Sequence, residues 1–248
     1  MTRGKKIGLW VAGAIAALAI LIMGGTWAYI HIFSPDPAPA FSLDSTDTTA
    51  PASTTTVPSA TDSGASATTA TTGSTARAGT YEIASGSQAG YRVKEVLFGQ
   101  STTAVGRTDD VTGSVTLDGS TVSAADFSVD LTSVHSDKGQ RDNQFQTRIM
   151  DTAQFPTATF KLTQPIDLGS TPADGKQVTA KATGDLTLHG TTRSVTFDVL
   201  AEKDGSTIKV VSQIPIVFGD FGIPNPSIGP ASTEDHGVLE VSLVLSPG

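Results

Sequence analysis

The stretch Gly184-Asp185-Leu186-Thr187-Leu188-His189-Gly190-Thr191-Thr192-Arg193-Ser194-Val195-Thr196-Phe197-Asp198-Val199 consists of two alternating apolar and polar runs joined by a tight His-Gly-Thr-Thr connection. That is the pattern of a β-hairpin. Leu186 and Leu188 share one side, which Val195, Phe197 and Val199 continue on the return strand, while Thr187, Thr192, Thr196 and Asp198 face away. An antiparallel pair with one apolar face requires something to cover that face. The fold follows from what supplies the cover.

Outward from the hairpin, the same alternation recurs. Short strands are expected at Thr80–Ile83 and Gly90–Leu97. Val111, Gly113, Val115 and Leu117 alternate up to Asp118-Gly119, a type I′ turn signal, and Val122–Leu131 returns. Ala158–Ile166, Val178–Leu188, Val195–Ala201, a run from Ile208 to Phe218, and Val238–Leu245 follow. One segment reads as helical: Asp137-Lys138-Gly139-Gln140 resembles a capping box, Phe145 and Ile149 lie one turn apart, and Phe155-Pro156 closes it. About eight strands, Asp-Gly turns and one short helix give an all-β class, either a sandwich or a closed up-and-down barrel.

Ahead of this region the composition changes twice. Met1–Lys6 holds three basic residues, and Ile7–Ile30 then runs without a charge, long enough at ~20 residues per span to cross a bilayer. Trp10 near one end, and Trp27 and Tyr29 near the other, suit interfacial anchors, and the basic tip places the N-terminus in the cytoplasm. The expectation is a single-pass membrane anchor over residues 1–33 with the remainder extracytoplasmic. The alternative is secretion after cleavage near Ala40, in Ala38-Pro39-Ala40, although the apolar run exceeds a typical signal core. Residues 34–79 are rich in Ser, Thr, Ala and Pro and read as a disordered linker, either a wall-spanning spacer or an O-glycosylated stalk. Residues 80–248 form the domain.

Charge and residue usage exclude several function classes. The three regions carry +3, −3 and −8, and an acidic domain without a basic run has no footprint for nucleic acid. The chain has no cysteine, which removes disulfides, thiol catalysis and thiolate metal sites. His31, His135, His189 and His236 show no metal-ligand spacing, and neither a nucleophile elbow nor a phosphate loop is present. No catalytic residue, metal site or cofactor is expected. Gln140-Arg141-Asp142-Asn143 is the densest polar cluster, with Arg141 or Arg148 as candidates to meet a head group at a barrel mouth. Alternatively the cluster simply starts a helix. Ala180, Ala182, Gly184, Ala201 and Ser212 are small inward positions that leave room inside. An eight-stranded barrel either fills its interior or holds one small ligand, and residue pattern alone leaves both open.

Several strings resemble the YceI-like family in order: Tyr81-Glu82-Ile83, Gly113-Ser114-Val115-Thr116-Leu117-Asp118, Gln140-Arg141-Asp142, Phe155-Pro156-Thr157-Ala158-Thr159-Phe160, Gly184 to Arg193, and Asp220-Phe221-Gly222-Ile223. The resemblance covers essentially all of residues 80–246. It implies a lipocalin-like, extended eight-stranded antiparallel β-barrel whose long apolar lumen holds a polyisoprenoid such as a quinone or prenyl lipid, without catalysis, in an exported protein. Two departures stand out. The family's Asp-Pro-x-His-Ser string is replaced by Ala84-Ser85-Gly86-Ser87-Gln88-Ala89-Gly90, and Pro224, Pro226 and Pro230 stiffen the loop after Ile223.

Strand parity and one helix face then nominate the lumen. Phe127 and Val129 come from one strand, Phe145 and Ile149 from the helix, and Phe160 and Leu162 from the strand after it. Leu186, Leu188, Phe197 and Val199 come from the hairpin, and Ile214, Ile216 and Phe218 from the next run. The expected function is a membrane-tethered, extracytoplasmic carrier, buffer or sensor of an isoprenoid lipid, with a homodimer left open. The rival is a ligand-free interaction module on an envelope stalk, with a filled core in place of a cavity.

Overall fold

The computed structural model describes residues 79–97, 99–229 and 231–248, the segment 37–43, and residues 20, 21, 24 and 25. Among the described residues no helix is long and apolar enough to cross a membrane. The anchor expected at residues 7–30 and most of the expected linker lie outside the described residues.

Strands β1 (Gly79–Ile83), β2 (Gln88–Leu97), β3 (Gln100–Thr108), β4 (Val111–Asp118) and β5 (Thr121–Asp130) open the domain. β6 (His135–Ser136), a helix (Gly139–Gln144) and a π-helical turn (Phe145–Ile149) come next, then β7 (Thr157–Leu162), β8 (Ile166–Asp167), β9 (Gln177–Leu188), β10 (Thr191–Asp204) and β11 (Thr207–Val217). A short 3₁₀ turn (Phe218–Phe221), β12 (Ala231–Thr233) and β13 (His236–Pro247) complete it.

The pairings close into an antiparallel barrel of eight long strands. β1 and β2 are two halves of one bent strand: β1 pairs with the end of β13 and β2 with its beginning. β3 and β4 are likewise two halves of the next strand, pairing β2 and β1 respectively. The order then runs β4-β5-β7-β9-β10-β11-β13, and the β1–β13 pairing shuts the circle. Closure removes the exposed edges that an open sheet would carry. Past residue 130 only the two-residue β6 pairs β3, and the adjoining helix lies over that end of the interior.

The hairpin behaves as its alternation requires. Thr191 pairs Leu188 and Val199 pairs Ala180, with His189 at φ 48° and Gly190 at φ 71°. Two positive φ values in a two-residue loop make a type I′ turn, whose twist matches the strands. On the outer face Thr187 bonds Thr192 at 2.8 Å and Thr183 bonds Thr196 at 2.9 Å. Leu186, Leu188 and Phe197 are buried on the inner face.

Five expectations need correction. β3 was not expected, because Ser101-Thr102-Thr103 and Gly106 give it no apolar alternation. The turn expected as type I′ at Asp118-Gly119 centers on Gly119-Ser120, with positive φ at the glycine alone, the type II′ pattern. The helix has Lys138 as its N-cap residue, without a side-chain cap bond. In place of a capping box, Asp142 accepts bonds from the Ser136 backbone N–H at 2.8 Å and its hydroxyl at 2.5 Å. The helical stretch ends at Met150, before Asp151 at φ 43°, and does not reach Phe155-Pro156. Finally, the expected linker is not wholly separate from the domain, because residues 37–43 lie against the barrel. Arg92 donates to the Ala38 carbonyl at 2.7 Å, and Arg107 donates to that of Pro39.

Candidate ligand-binding cavity

An interior cavity of about 610 Å³ runs along the barrel, within the ~300–1,000 Å³ range of small-molecule sites. Its lining draws on both buried clusters, one containing Phe145, Phe160, Phe197 and Phe218 and the other Leu117, Ile208, Leu243 and Leu245. It therefore spans the long axis. Phe160 meets Phe197 edge-on at 5.3 Å and stacks near Phe127 at 6.3 Å, so the aromatic rings wall the lumen as a connected set.

The lining is mostly apolar, with Thr159, Ser212, Thr233 and Glu240 bordering the wall and the remaining charged and amide side chains in two groups. Beside the helix these are Glu95, Lys138, Gln140, Arg141 and Gln144, and at the far end Glu202 and Lys203. Tyr91 stacks on Phe145 with ring centroids 5.1 Å apart. Burial pushes the Tyr91 phenol well above its usual range, against the pull of Arg141, so it remains a neutral hydrogen-bonding group. Arg141 donates to Glu95 at 3.0 Å and also to Asp137. Burial opposes its charge, but these two carboxylates outweigh that and hold it firmly protonated. The helix mouth thus carries a cation already matched by neighboring acids.

All thirteen residues nominated for the lumen line this cavity. Arg141 lines it as well. Arg148 does not: its guanidinium donates to the Pro226 carbonyl at 2.8 Å and ties the helical segment to the proline loop. That loop supplies Pro226 and Ile228 to the rim, so Pro226 borders one end of the barrel. Ala180, Ala182, Ala201 and Ser212 border open space, but Gly184 does not. A Cβ there would lie 2.4 Å from the Phe160 ring and 2.4 Å from the Lys161 carbonyl oxygen. Its vacancy is filled by an aromatic ring.

Tyr91, Val93, Leu239 and Leu243 also line the cavity and were not nominated. The parity of β2 and β13 would have found them, since Tyr91 and Val93 alternate with Arg92 and Lys94, and Leu239, Val241 and Leu243 with Glu240 and Ser242. Among the described residues no cluster of acidic and histidine side chains could hold a metal ion.

Comparison with known proteins agrees with this architecture. The model of the YceI-like domain matches residues 81–245. The chain belongs to the YceI-like family. A UPF0312 protein from Vibrio parahaemolyticus is 34% identical over 103 residues, which are 39% of this chain and 51% of that protein. Protein YceI of Escherichia coli O157:H7 is 30% identical over 141 residues, 53% of this chain and 69% of its own length. The matched region therefore spans about half of the Vibrio relative. Among solved structures, a polyisoprenoid binding domain from Saccharophagus degradans, implicated in plant cell wall breakdown, superimposes with a TM-score of 0.57 at 17% identity. That match covers 69% of this chain and all of the other, and it shows a shared fold.

Proposed function

We propose that this YceI-like barrel binds a long-chain isoprenoid lipid by enclosing its tail, without chemistry, as a membrane-tethered extracytoplasmic carrier, buffer or sensor. The observation that carries this reading is the continuous apolar cavity, where the rival interaction module calls for a filled core. At ~0.8 kcal/mol per buried CH₂, a few isoprene units offset the roughly 4–15 kcal/mol cost of association. The polyisoprenoid-binding neighbor of the same fold supports the ligand class. The charge-free run at residues 7–30 supports the tether, which would raise the barrel's concentration where such lipids reside.

The helix mouth favors an uncharged polar head, such as a quinone, over a prenyl phosphate. Arg141 is already shared between Glu95 and Asp137, and Lys138 also lies 4.0 Å from Asp137, so a phosphate would compete with those carboxylates for both cations.

Ala180→Trp tests the lumen directly, because Ala180 borders the cavity and pairs Val199. The added ring should fill space at a cost of about 1–3 kcal/mol in stability, while lipid co-purifying with the full chain falls to near zero. A folded variant that retains its full lipid complement would place the ligand elsewhere.

A further inference from the structure

The outer surface of the barrel holds a second arrangement that the lumen does not use. By strand alternation Arg92 lies on the face opposite the inward Tyr91 and Val93, and Glu240 on the face opposite the inward Leu239 and Val241, with Glu240 also bordering the cavity wall. Glu240 is 0% exposed. Arg92 donates to it at 2.8 Å and 3.3 Å, and Arg107 reaches it at 3.5 Å. Gly90, between Glu240 and Arg107 in the register, keeps the crossing clear: a Cβ there would lie 2.9 Å from Arg107 Cγ. Two guanidiniums thus share one carboxylate, leaving an excess positive charge in an acidic domain. Arg107 Nε is buried without a partner.

The segment Pro37-Ala38-Pro39-Ala40-Phe41 covers this cluster. Arg92 and Arg107 donate to the carbonyls of Ala38 and Pro39, and the Arg107 guanidinium lies 3.9 Å from the Phe41 ring centroid. Two prolines stiffen an extended backbone and remove two N–H groups, so the segment offers the donor-rich site mainly acceptors and an aromatic face. We infer that the Arg92–Arg107–Glu240 face is a peptide-binding site for an extended Pro-x-Pro-x-Phe segment, occupied in cis by residues 37–41, which act as a strap that fixes the barrel's orientation on its tether.

The consequence rests on the tether reading. If residues 7–30 span the membrane, only residues 31–36 separate the span from the docked strap, a reach of roughly 20 Å at ~3.3–3.6 Å per residue. The barrel then sits close to the membrane with one flank fixed.

Because the chain contains no cysteine, Ala40→Cys introduces a unique thiol at an exposed position of the strap. A nitroxide there, in the full chain in detergent micelles, should give the broad electron paramagnetic resonance line of an immobilized label, unchanged on dilution. Arg107→Ala, which removes both the carbonyl contact and the ring contact, should increase the mobile fraction on the order of tenfold or more, with circular dichroism confirming an intact barrel. Excess synthetic peptide of residues 34–46 should also release the label in the parent protein. A line as sharp as that of the labeled free peptide would overturn the strap, and immobilization that disappears on dilution would overturn docking in cis. Membrane fractionation of the same chain reads the tether separately, so either idea can fail alone.

Discussion

Gly184 and Ala180 lie on the same inward face of β9 and do opposite things. Ala180 borders the cavity, while Gly184 is the floor on which the Phe160 ring rests. A leucine at Gly184 would collide with that ring and with the Lys161 carbonyl, and the carbonyl belongs to a paired strand that cannot shift alone. Gly184→Leu should therefore destabilize the fold by about 3 kcal/mol or more, read as a lowered urea midpoint, whereas Ala180→Trp chiefly displaces ligand. An unchanged midpoint for Gly184→Leu would contradict the packing. Strand parity made the inward direction of both residues legible in the sequence. It could not tell which small residue borders space, because that depends on how the Phe160 side chain of the neighboring strand β7 is turned.

The helix and π-helical turn act as one cover. Phe145 is buried against Tyr91, Arg141 ties the helix to β2 through Glu95, and Arg148 ties it to the proline loop. Phe145→Ala removes the central anchor and should cost about 3–5 kcal/mol. Bound lipid should also leave faster, measured by transfer to acceptor vesicles; unchanged stability and release would show that this cover holds nothing in. The spacing of Phe145 and Ile149 made the helical segment legible. Its π geometry was not, because the Met150 N–H bonds the Phe145 carbonyl, an extra residue in the turn that apolar spacing does not record. β3 was hidden for a different reason: its pairing is backbone-made while its side chains are mostly small or polar. The strap was hidden because a Pro-Ala composition reads as spacer, and its partners Arg92 and Arg107 lie more than 50 residues away in the chain.

For the whole molecule, an acidic exterior encloses a mostly apolar lumen that crosses both buried clusters. The alternating strands and the family strings made the barrel and all thirteen lumen positions readable. The balance of charge at the helix mouth needed the fold, since Glu95 reaches Arg141 from β2 while Asp137 is its i, i+4 neighbor. Native mass spectrometry of the full chain, released from detergent micelles after expression in an envelope-bearing bacterium, reads out whether the lumen holds an isoprenoid. The expected result is a reproducible added mass that is lost on extraction with organic solvent and matches an isoprenoid with an uncharged head. A bare protein mass, unchanged after incubation with quinones and prenyl phosphates, would contradict it.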